Sequence, residues 1–305
     1  MKHFIDLSDV TPEELEYLIE QSVEMKLKQD EIDAAKPLAG KVLAMIFSKS
    51  STRTRASFEA GMYQLGGYPM VLNAGDVQLG RGEPFRDTAR VLSRYVDAIM
   101  IRTYAQADVE ELALYGSIPV INGLTDDTHP CQILADLMTI QECKGGLKGV
   151  KLAYIGDGNN VANTLLQACP KVGMDIAVAT PPGFACRQAY VDQALSAALA
   201  SGSAVEITCD PMKAVKGADV VYTDTWVSMG MESDKSDRIK HFRGFEVNAE
   251  LMAAAGPDAI FLHCLPAYRG FEVSDEVIEG PSSRVFDEAE NRLHCQKAVL
   301  MNLLT

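Results

Sequence analysis

Val42-Leu43-Ala44-Met45-Ile46-Phe47-Ser48-Lys49-Ser50-Ser51-Thr52-Arg53-Thr54-Arg55 passes from an unbroken apolar run into a cluster of hydroxyls and cations, and a helical pattern follows to Leu65. A continuous apolar run of that length reads as a strand buried on both faces, so the stretch is a strand, a turn and a helix start. The turn carries the hydroxyls of Ser48, Ser50, Ser51, Thr52 and Thr54 and the cations Lys49, Arg53 and Arg55, with no acid among them. The first turn of a helix leaves backbone N–H groups unpaired and carries partial positive charge, so this turn suits an anion, and an arginine adds a planar fork matching two phosphate oxygens. It is not a Walker loop, because the Gly-rich spacing and the Gly-Lys-Ser/Thr ending are missing. Taken alone, it reads equally as a Ser-capped basic helix start in solvent. Its neighbours along the chain decide.

Working outward, strand-like runs at Val42–Phe47, Met70–Leu72, Ala98–Ile101 and Val120–Ile121 alternate with helical patterns at Arg55–Leu65, Phe85–Tyr95, Val109–Tyr115 and Gln132–Glu142. Before them, Thr11-Pro12-Glu13-Glu14 opens a helix to about Lys28, and Gln29 to Lys36 reads as a polar connection. The pattern restarts after Gly145-Gly146 with runs at Val150–Ile155, Ile176–Ala179, Val205–Ile207, Val220–Tyr222 and Ile260–Leu262, and a helical segment spans Glu288 to Leu304. The expected fold is α/β: two doubly wound, parallel-sheet, Rossmann-like lobes with a cleft between them.

The chain has 305 residues, 47% apolar and 23% charged, with a formal net charge of -14. That acidity argues against nucleic acid and anionic membrane as partners, so a basic turn here is a local device for a small anion. The cysteines at 131, 143, 169, 186, 209, 264 and 295 are odd in number, widely spaced and free of Cys-x-x-Cys, which reads as reduced thiols of a cytoplasmic protein with no metal site. Met1 to Glu20 is rich in acids and lacks the apolar core of a signal peptide or anchor.

Polar residues gather after the strands, where open parallel sheets bind ligands: Ser51 to Arg55, Arg102, His129-Pro130-Cys131-Gln132, Gly156-Asp157-Gly158-Asn159-Asn160, Asp224 to Gly230, and His263-Cys264-Leu265-Pro266. The glycine pair at 156 and 158 does not make a dinucleotide site. The third glycine would fall at Val161, and the next strand ends in Ala179-Thr180-Pro181-Pro182 without a ribose-binding acid. Pro130 restricts His129 to an extended conformation at a helix N-terminus, with Gln132 near the same end. Cys264 alone reads as a core thiol and Arg292 as a solvated charge. The Leu265–Pro266 bond is expected to be cis, at a turn that aims a main-chain carbonyl at the ligand.

Ser51-Thr52-Arg53-Thr54-Arg55, His129-Pro130-Cys131-Gln132, Asp224-Thr225-Trp226-Val227-Ser228-Met229-Gly230 and His263-Cys264-Leu265-Pro266 together resemble the motif set of the aspartate/ornithine carbamoyltransferase family. The Ser-Met-Gly and His-Cys-Leu-Pro stretches resemble its ornithine-using branch. The resemblance covers essentially the whole chain, including Gln78 to Pro84 and Glu288 to Arg292. It implies a carbamoyl phosphate-binding domain over 1–143, completed by the C-terminal helix 288–305, and an ornithine-binding domain over 144–287. The implied reaction carries the carbamoyl group of carbamoyl phosphate to the δ-amine of L-ornithine through a tetrahedral intermediate, giving citrulline and phosphate without metal or organic cofactor.

By the same resemblance, Ser51, Thr52, Arg53 and Thr54 hold the phosphate, while Arg102 and His129, with Thr54, stabilise the oxyanion. Gln132 and the Leu265 carbonyl accept from the carbamoyl NH2, Cys264 lies near the amine, Arg292 completes the site, and Gln78 reaches a neighbouring subunit's site. Asn160, Asp224, Ser228 and Met229 hold ornithine by its amino-acid end. Cys264 with Asp224, or the departing phosphate, takes the amine's proton. The family's assembly is a homotrimer or a multiple of trimers, and its reaction belongs to arginine biosynthesis or degradation. Competing readings are a carbamoyltransferase for putrescine or an N-acylated ornithine, disfavoured by Asp224 and Ser228-Met229-Gly230, and a non-catalytic anion-binding regulator, disfavoured by polar groups at so many strand ends.

Overall fold

The computed structural model describes residues 1–227 and 235–305, the side chains of 235–237 excepted. The chain divides into two compact units, one of Met1–Met138 with Glu290–Thr305 and one of Thr139–Ala289.

The first unit opens with helix α1 (Pro12–Leu27), whose start is the capping box expected of Thr11-Pro12-Glu13-Glu14: Thr11 Oγ1 accepts from Glu14 N–H at 3.2 Å, and Glu14 Oε2 accepts from Thr11 N–H at 3.0 Å. Gln29 to Ala35, expected as a connection, is a second helix, α2; it buries no residue, so no apolar period marks it. There follow β1 (Val42–Phe47), α3 (Thr52–Gln64), β2 (Tyr68–Asn73), α4 (Phe85–Leu92), β3 (Ala98–Arg102), α5 (Gln106–Tyr115), β4 (Val120–Leu124) and the start of α6 (Pro130–Lys144). The strands form a parallel sheet in the order β2-β1-β3-β4. β3 is buried along its whole length, as are the last five residues of β1, which is why both read as unbroken apolar runs.

The chain leaves β1 toward one side of this sheet and β3 toward the other. Their carboxyl ends therefore flank a topological switch point, the usual ligand crevice of an open α/β sheet. The Ser48 N–H donates to the Arg102 carbonyl at 2.9 Å and ties the two ends together. On the far side of β3 the register slips, Ile101 facing Asn122 and Arg102 facing Leu124, so Gly123 is the extra residue of a bulge beside Arg102. A Cβ at Gly123 would lie 2.6 Å from Met100 Sδ, 3.1 Å from the Ile101 carbonyl and 3.5 Å from Thr54 Cγ2, which explains the glycine.

The second unit runs β5 (Lys151–Ile155), α7 (Asn160–Ala168), β6 (Asp175–Ala179), α8 (Gln188–Ser201), β7 (Val205–Thr208), α9 (Pro211–Val215), β8 (Val220–Thr223), α10 (Lys235–His241), α11 (Ala249–Ala254), β9 (Ile260–His263) and α12 (Asp275–Ile278). Its parallel sheet has the order β7-β6-β5-β8-β9, with the switch point between β5 and β8. One face packs Ala153, Ile155, Val221 and Phe261 with Trp226, Phe242 and Val273. The last helix, α13 (Val285–Leu304), returns the chain to the first unit from Glu290 onward.

Candidate active site

Two sets of polar side chains stand at the two switch points, one in each unit. In the first unit Ser51 caps α3, its Oγ accepting from Thr54 N–H at 3.2 Å, and the helix N-terminus follows directly on the end of β1. Lys49 and Arg55, read from the sequence as part of the anion-binding cluster, are committed elsewhere. Lys49 pairs with Asp126 and lies over the Tyr104 ring at 4.3 Å, and Arg55 pairs with Glu59 at 3.3 Å on the exposed side of the helix.

Arg292 enters from α13. Its Nη1 donates to Gln132 Oε1 at 2.6 Å and its Nη2 to Thr54 Oγ1 at 3.3 Å, which brings three residues far apart in sequence to one point. Far from the solvated charge its helix suggested, Arg292 is 2% exposed. The Gln132 amide donates to Asp136 at 3.1 Å, so its carbonyl, assigned to the carbamoyl NH2, already serves Arg292 with one lone pair.

His129 is buried immediately before α6, its carbonyl accepting from Gln132 and Ile133 N–H. Burial holds its pKa well below the ordinary imidazole value, and the charges of Arg292, Arg102 and Arg53 push the same way. A neutral imidazole beside three guanidiniums can donate one hydrogen bond but does not carry a proton to be given away. The loop that delivers it is braced by groups the sequence reading missed: Thr128 N–H donates to Thr125 Oγ1 at 3.1 Å, Thr125 Oγ1–H to Gln106 Oε1 at 2.8 Å, and Asn122 Nδ2 to Thr128 Oγ1 at 3.1 Å. Gln78 is exposed at the start of a short 3-10 helix, Gln78–Arg81.

In the second unit Asp224 follows β8. Its Oδ1 accepts from Thr225 N–H at 2.7 Å and from the Cys264 thiol at 2.9 Å, and its Oδ2 accepts from Asn159 Nδ2 at 2.6 Å. Asn159, which the sequence reading did not single out for this role, thus reaches Asp224 from the turn after β5; Asn160, named from the sequence, opens α7 beside it. Asp157, in the same turn, pairs with Arg238, which also donates to the Trp226 carbonyl at 2.7 Å. Burial nonetheless raises the Asp157 pKa to about 6, with Arg238 opposing the shift and Asp224 adding to it. Ser228, Met229 and Gly230 lie outside the described residues.

After β9 the Leu265–Pro266 bond is cis, as its turn predicts, and Leu265 has φ of 55°. Asp224, His263 and Cys264 bring donor atoms within 4.8 Å of one another, a spacing a metal ion could use. These donors are already engaged: His263 Nδ1 accepts from Leu265 N–H at 2.8 Å, Nε2 faces Glu272 at 3.3 Å, and the Cys264 thiol bonds Asp224. The buried Cys131 and Cys186 thiols are pushed up to about 12, chiefly by desolvation, so neither forms thiolate at neutral pH.

Residues 2–142 match the family described as aspartate/ornithine carbamoyltransferase, carbamoyl-P binding domain, and residues 148–303 match its Asp/Orn binding domain. The chain belongs to the aspartate/ornithine carbamoyltransferase family. Among relatives, it is 59% identical over 301 residues to an ornithine carbamoyltransferase of Caldicellulosiruptor saccharolyticus, covering 99% of this chain and 98% of that one. It is 56% identical to that of Anoxybacillus flavithermus over 99% of this chain and 96% of the relative. The solved structure of the Pyrococcus furiosus ornithine carbamoyltransferase superposes with a TM-score of 0.95 at 53% identity, covering 99% of this chain and 97% of that one. Family membership agrees with the sequence reading that the glycines at 156 and 158 are not a dinucleotide fingerprint. The match to the Asp/Orn binding domain of the family runs to residue 303, whereas Glu290–Thr305 belongs to the compact unit that carries the Ser51–Arg55 turn.

Proposed function

We propose that the protein transfers the carbamoyl group of carbamoyl phosphate to the δ-amine of L-ornithine, giving L-citrulline and phosphate. The observation that carries this reading is the cluster at the β1/β3 switch point: the Ser51-capped start of α3, the buried Arg292 bonded to Thr54 and Gln132, the β1 and β3 ends tied by Ser48 and Arg102, and a buried His129 on which Arg292, Arg102 and Arg53 act. Three fixed cations and a helix start match a phosphorylated, doubly negative substrate. Relatives named ornithine carbamoyltransferase at 59% and 56% identity favour ornithine over aspartate as the acceptor, and a carboxylate, Asp224, stands at the other switch point to take an α-ammonium.

The neutral δ-amine attacks the carbamoyl carbon, the carbonyl becomes an oxyanion, and collapse expels phosphate as the amine's proton passes to the departing phosphate or to Asp224 with Cys264. Ser51, Thr52, Arg53 and Thr54 hold the phosphate, with Gln132 and Arg292 closing the site. Arg102, Thr54 and His129 are the oxyanion donors, and the low pKa of His129 fits it to donate a hydrogen bond while remaining neutral. Asp224 with Asn160, Ser228 and Met229 holds the amino-acid end of ornithine, and Cys264 and the Leu265 carbonyl face the reacting groups. Phosphate is a good leaving group, so positioning and electrostatics supply most of the rate. The assembly we propose is a trimer or a multiple of trimers with Gln78 serving a neighbour, working in the cytoplasm; among the described residues no helix is long and apolar enough to cross a membrane.

The test is a phosphate-release assay, with the carbamoylated product identified, offering ornithine, putrescine, N-acetylornithine and aspartate separately with carbamoyl phosphate. Citrulline from ornithine, with the other amines far slower, is the expected result. Preference for any of the other three overturns the assignment of the acceptor.

A further inference from the structure

Glu272 is 1% exposed and His263, the last residue of β9, is 0% exposed. A buried carboxylate is costly unless donors surround it. One oxygen of Glu272 has two: the Tyr268 N–H at 2.5 Å and His263 Nε2 at 3.3 Å. On its other edge the His263 ring receives the Leu265 N–H at Nδ1, 2.8 Å away.

These bonds fix where the imidazole proton sits. Nδ1 accepts from a backbone amide and so carries no hydrogen, which leaves the proton on Nε2, aimed at a carboxylate that can only accept. In the other tautomer two donors would face each other across 2.8 Å and the Leu265 amide would lose its partner. The consequence falls on the next two residues. Cys264 bonds Asp224 through its thiol, and Leu265 adopts a left-handed φ of 55°, a conformation a non-glycine side chain holds only when its surroundings impose it.

We propose that Glu272 is a positioning residue: by taking the Nε2 proton of His263 it keeps Nδ1 an acceptor for the Leu265 amide, and so sets the backbone that presents the Cys264 thiol and the Leu265 carbonyl. The inference rests on the carbamoyl-transfer reading for its kinetic consequence, but the tautomer itself does not depend on that reading.

The first experiment needs no variant. Nitrogen-15 NMR of the imidazoles in the labelled wild-type protein reports which nitrogen of His263 is protonated. Nδ1 bare and Nε2 protonated is expected, and the opposite tautomer or a doubly protonated ring overturns the proposal whatever the enzyme does. The second compares Glu272→Gln, whose amide oxygen still accepts from both donors, with Glu272→Ala, which cannot. The Gln variant keeps the tautomer and most of the turnover, whereas the Ala variant lowers kcat with ornithine by about 10- to 100-fold through misplacement of the reacting groups. The KM for carbamoyl phosphate, whose proposed ligands are mostly in the first unit, stays near its wild-type value. Equal damage in both variants, or a folded Ala variant with unchanged kcat, overturns the proposal. Absence of wild-type citrulline formation with the expected tautomer present would fault the proposed reaction and leave the His263–Glu272 geometry standing.

Discussion

Asn159 Nδ2 donates to Asp224 Oδ2 at 2.6 Å, while Oδ1 of the same amide accepts from the Val161 and Ala162 N–H groups and caps α7. One side chain therefore starts the helix after β5 and fixes the carboxylate after β8. Asn159→Ala removes both bonds: loss of the cap costs about 1 kcal/mol of stability, and ornithine KM rises. Asn159→Asp keeps a capping oxygen but sets two carboxylates face to face, so it lowers ornithine use at least as far as Ala while disturbing the helix less. Ornithine kinetics and the thermal midpoint of the two variants check this; unchanged ornithine KM in both would detach Asn159 from the site.

Asp224→Ala tests the amine end directly. A charge-assisted hydrogen bond to the α-ammonium contributes roughly 1.5–3 kcal/mol, so ornithine use falls by about one to two powers of ten. Affinity for carbamoyl phosphate changes far less, because Arg53, Arg102, His129 and Arg292 belong to the other unit. Both affinities should be measured in the same variant, since parallel losses would mean that the whole protein had been disturbed.

His129 gives a pH prediction whose sign follows from burial. Its pKa in the folded protein lies well below 6.5, so between that low value and the unfolded value the unfolded chain binds more protons. Stability contributed by the neutral, buried ring is fully present above the unfolded value and is lost as pH falls through the window beneath it. Denaturant unfolding at a series of pH values should show this slope below about 6.5, and His129→Gln should flatten it. In Arg292→Gln, which removes the foremost of the charges acting on the ring, NMR titration should find the His129 pKa higher than in wild type.

Subunit sharing is checked by complementation. Gln78→Ala and Arg53→Ala proteins, each inactive, are mixed under conditions of proven subunit exchange. If Gln78 serves a neighbour's carbamoyl phosphate, some mixed sites carry neither substitution and activity returns. Exchange without recovery would place Gln78 in its own subunit's chemistry or in none.

Strands buried on both faces announce themselves as unbroken apolar runs, and Val42–Phe47 was legible to the residue. The motif residues were legible because open parallel sheets place ligand groups just after strands. Helix α2 was not, since none of its residues is buried and no period of apolar residues marks it. Support residues were hidden for a different reason. Asn159 and Glu272 act through partners 65 and 9 residues away, and nothing in local composition marks a side chain that holds another in place. Arg292 stood out only through the family resemblance. Its 2.6 Å bond to Gln132, 160 residues earlier, exists only once the last helix has packed back onto the first unit.

Gly123 is the last such residue, and its substitution separates strand geometry from chemistry. The bulge it forms in β4 lies beside Arg102, and any Cβ there meets the Ile101 carbonyl at 3.1 Å and the Thr54 methyl at 3.5 Å. Met100 Sδ, at 2.6 Å, is the flexible end of a side chain and can move aside; the Ile101 carbonyl belongs to the β3 backbone and cannot do so without shifting Arg102. Gly123→Ala should therefore cost about 1–3 kcal/mol as overpacking. It should also raise the KM for carbamoyl phosphate, since Thr54 borders the added methyl and Arg102 directly follows the Ile101 carbonyl that the methyl meets, while the KM for ornithine changes little. Inhibition by inorganic phosphate gives a second reading of the same site. A variant that loses stability yet binds phosphate and carbamoyl phosphate like wild type would show that the bulge shapes the strand without aiming Arg102.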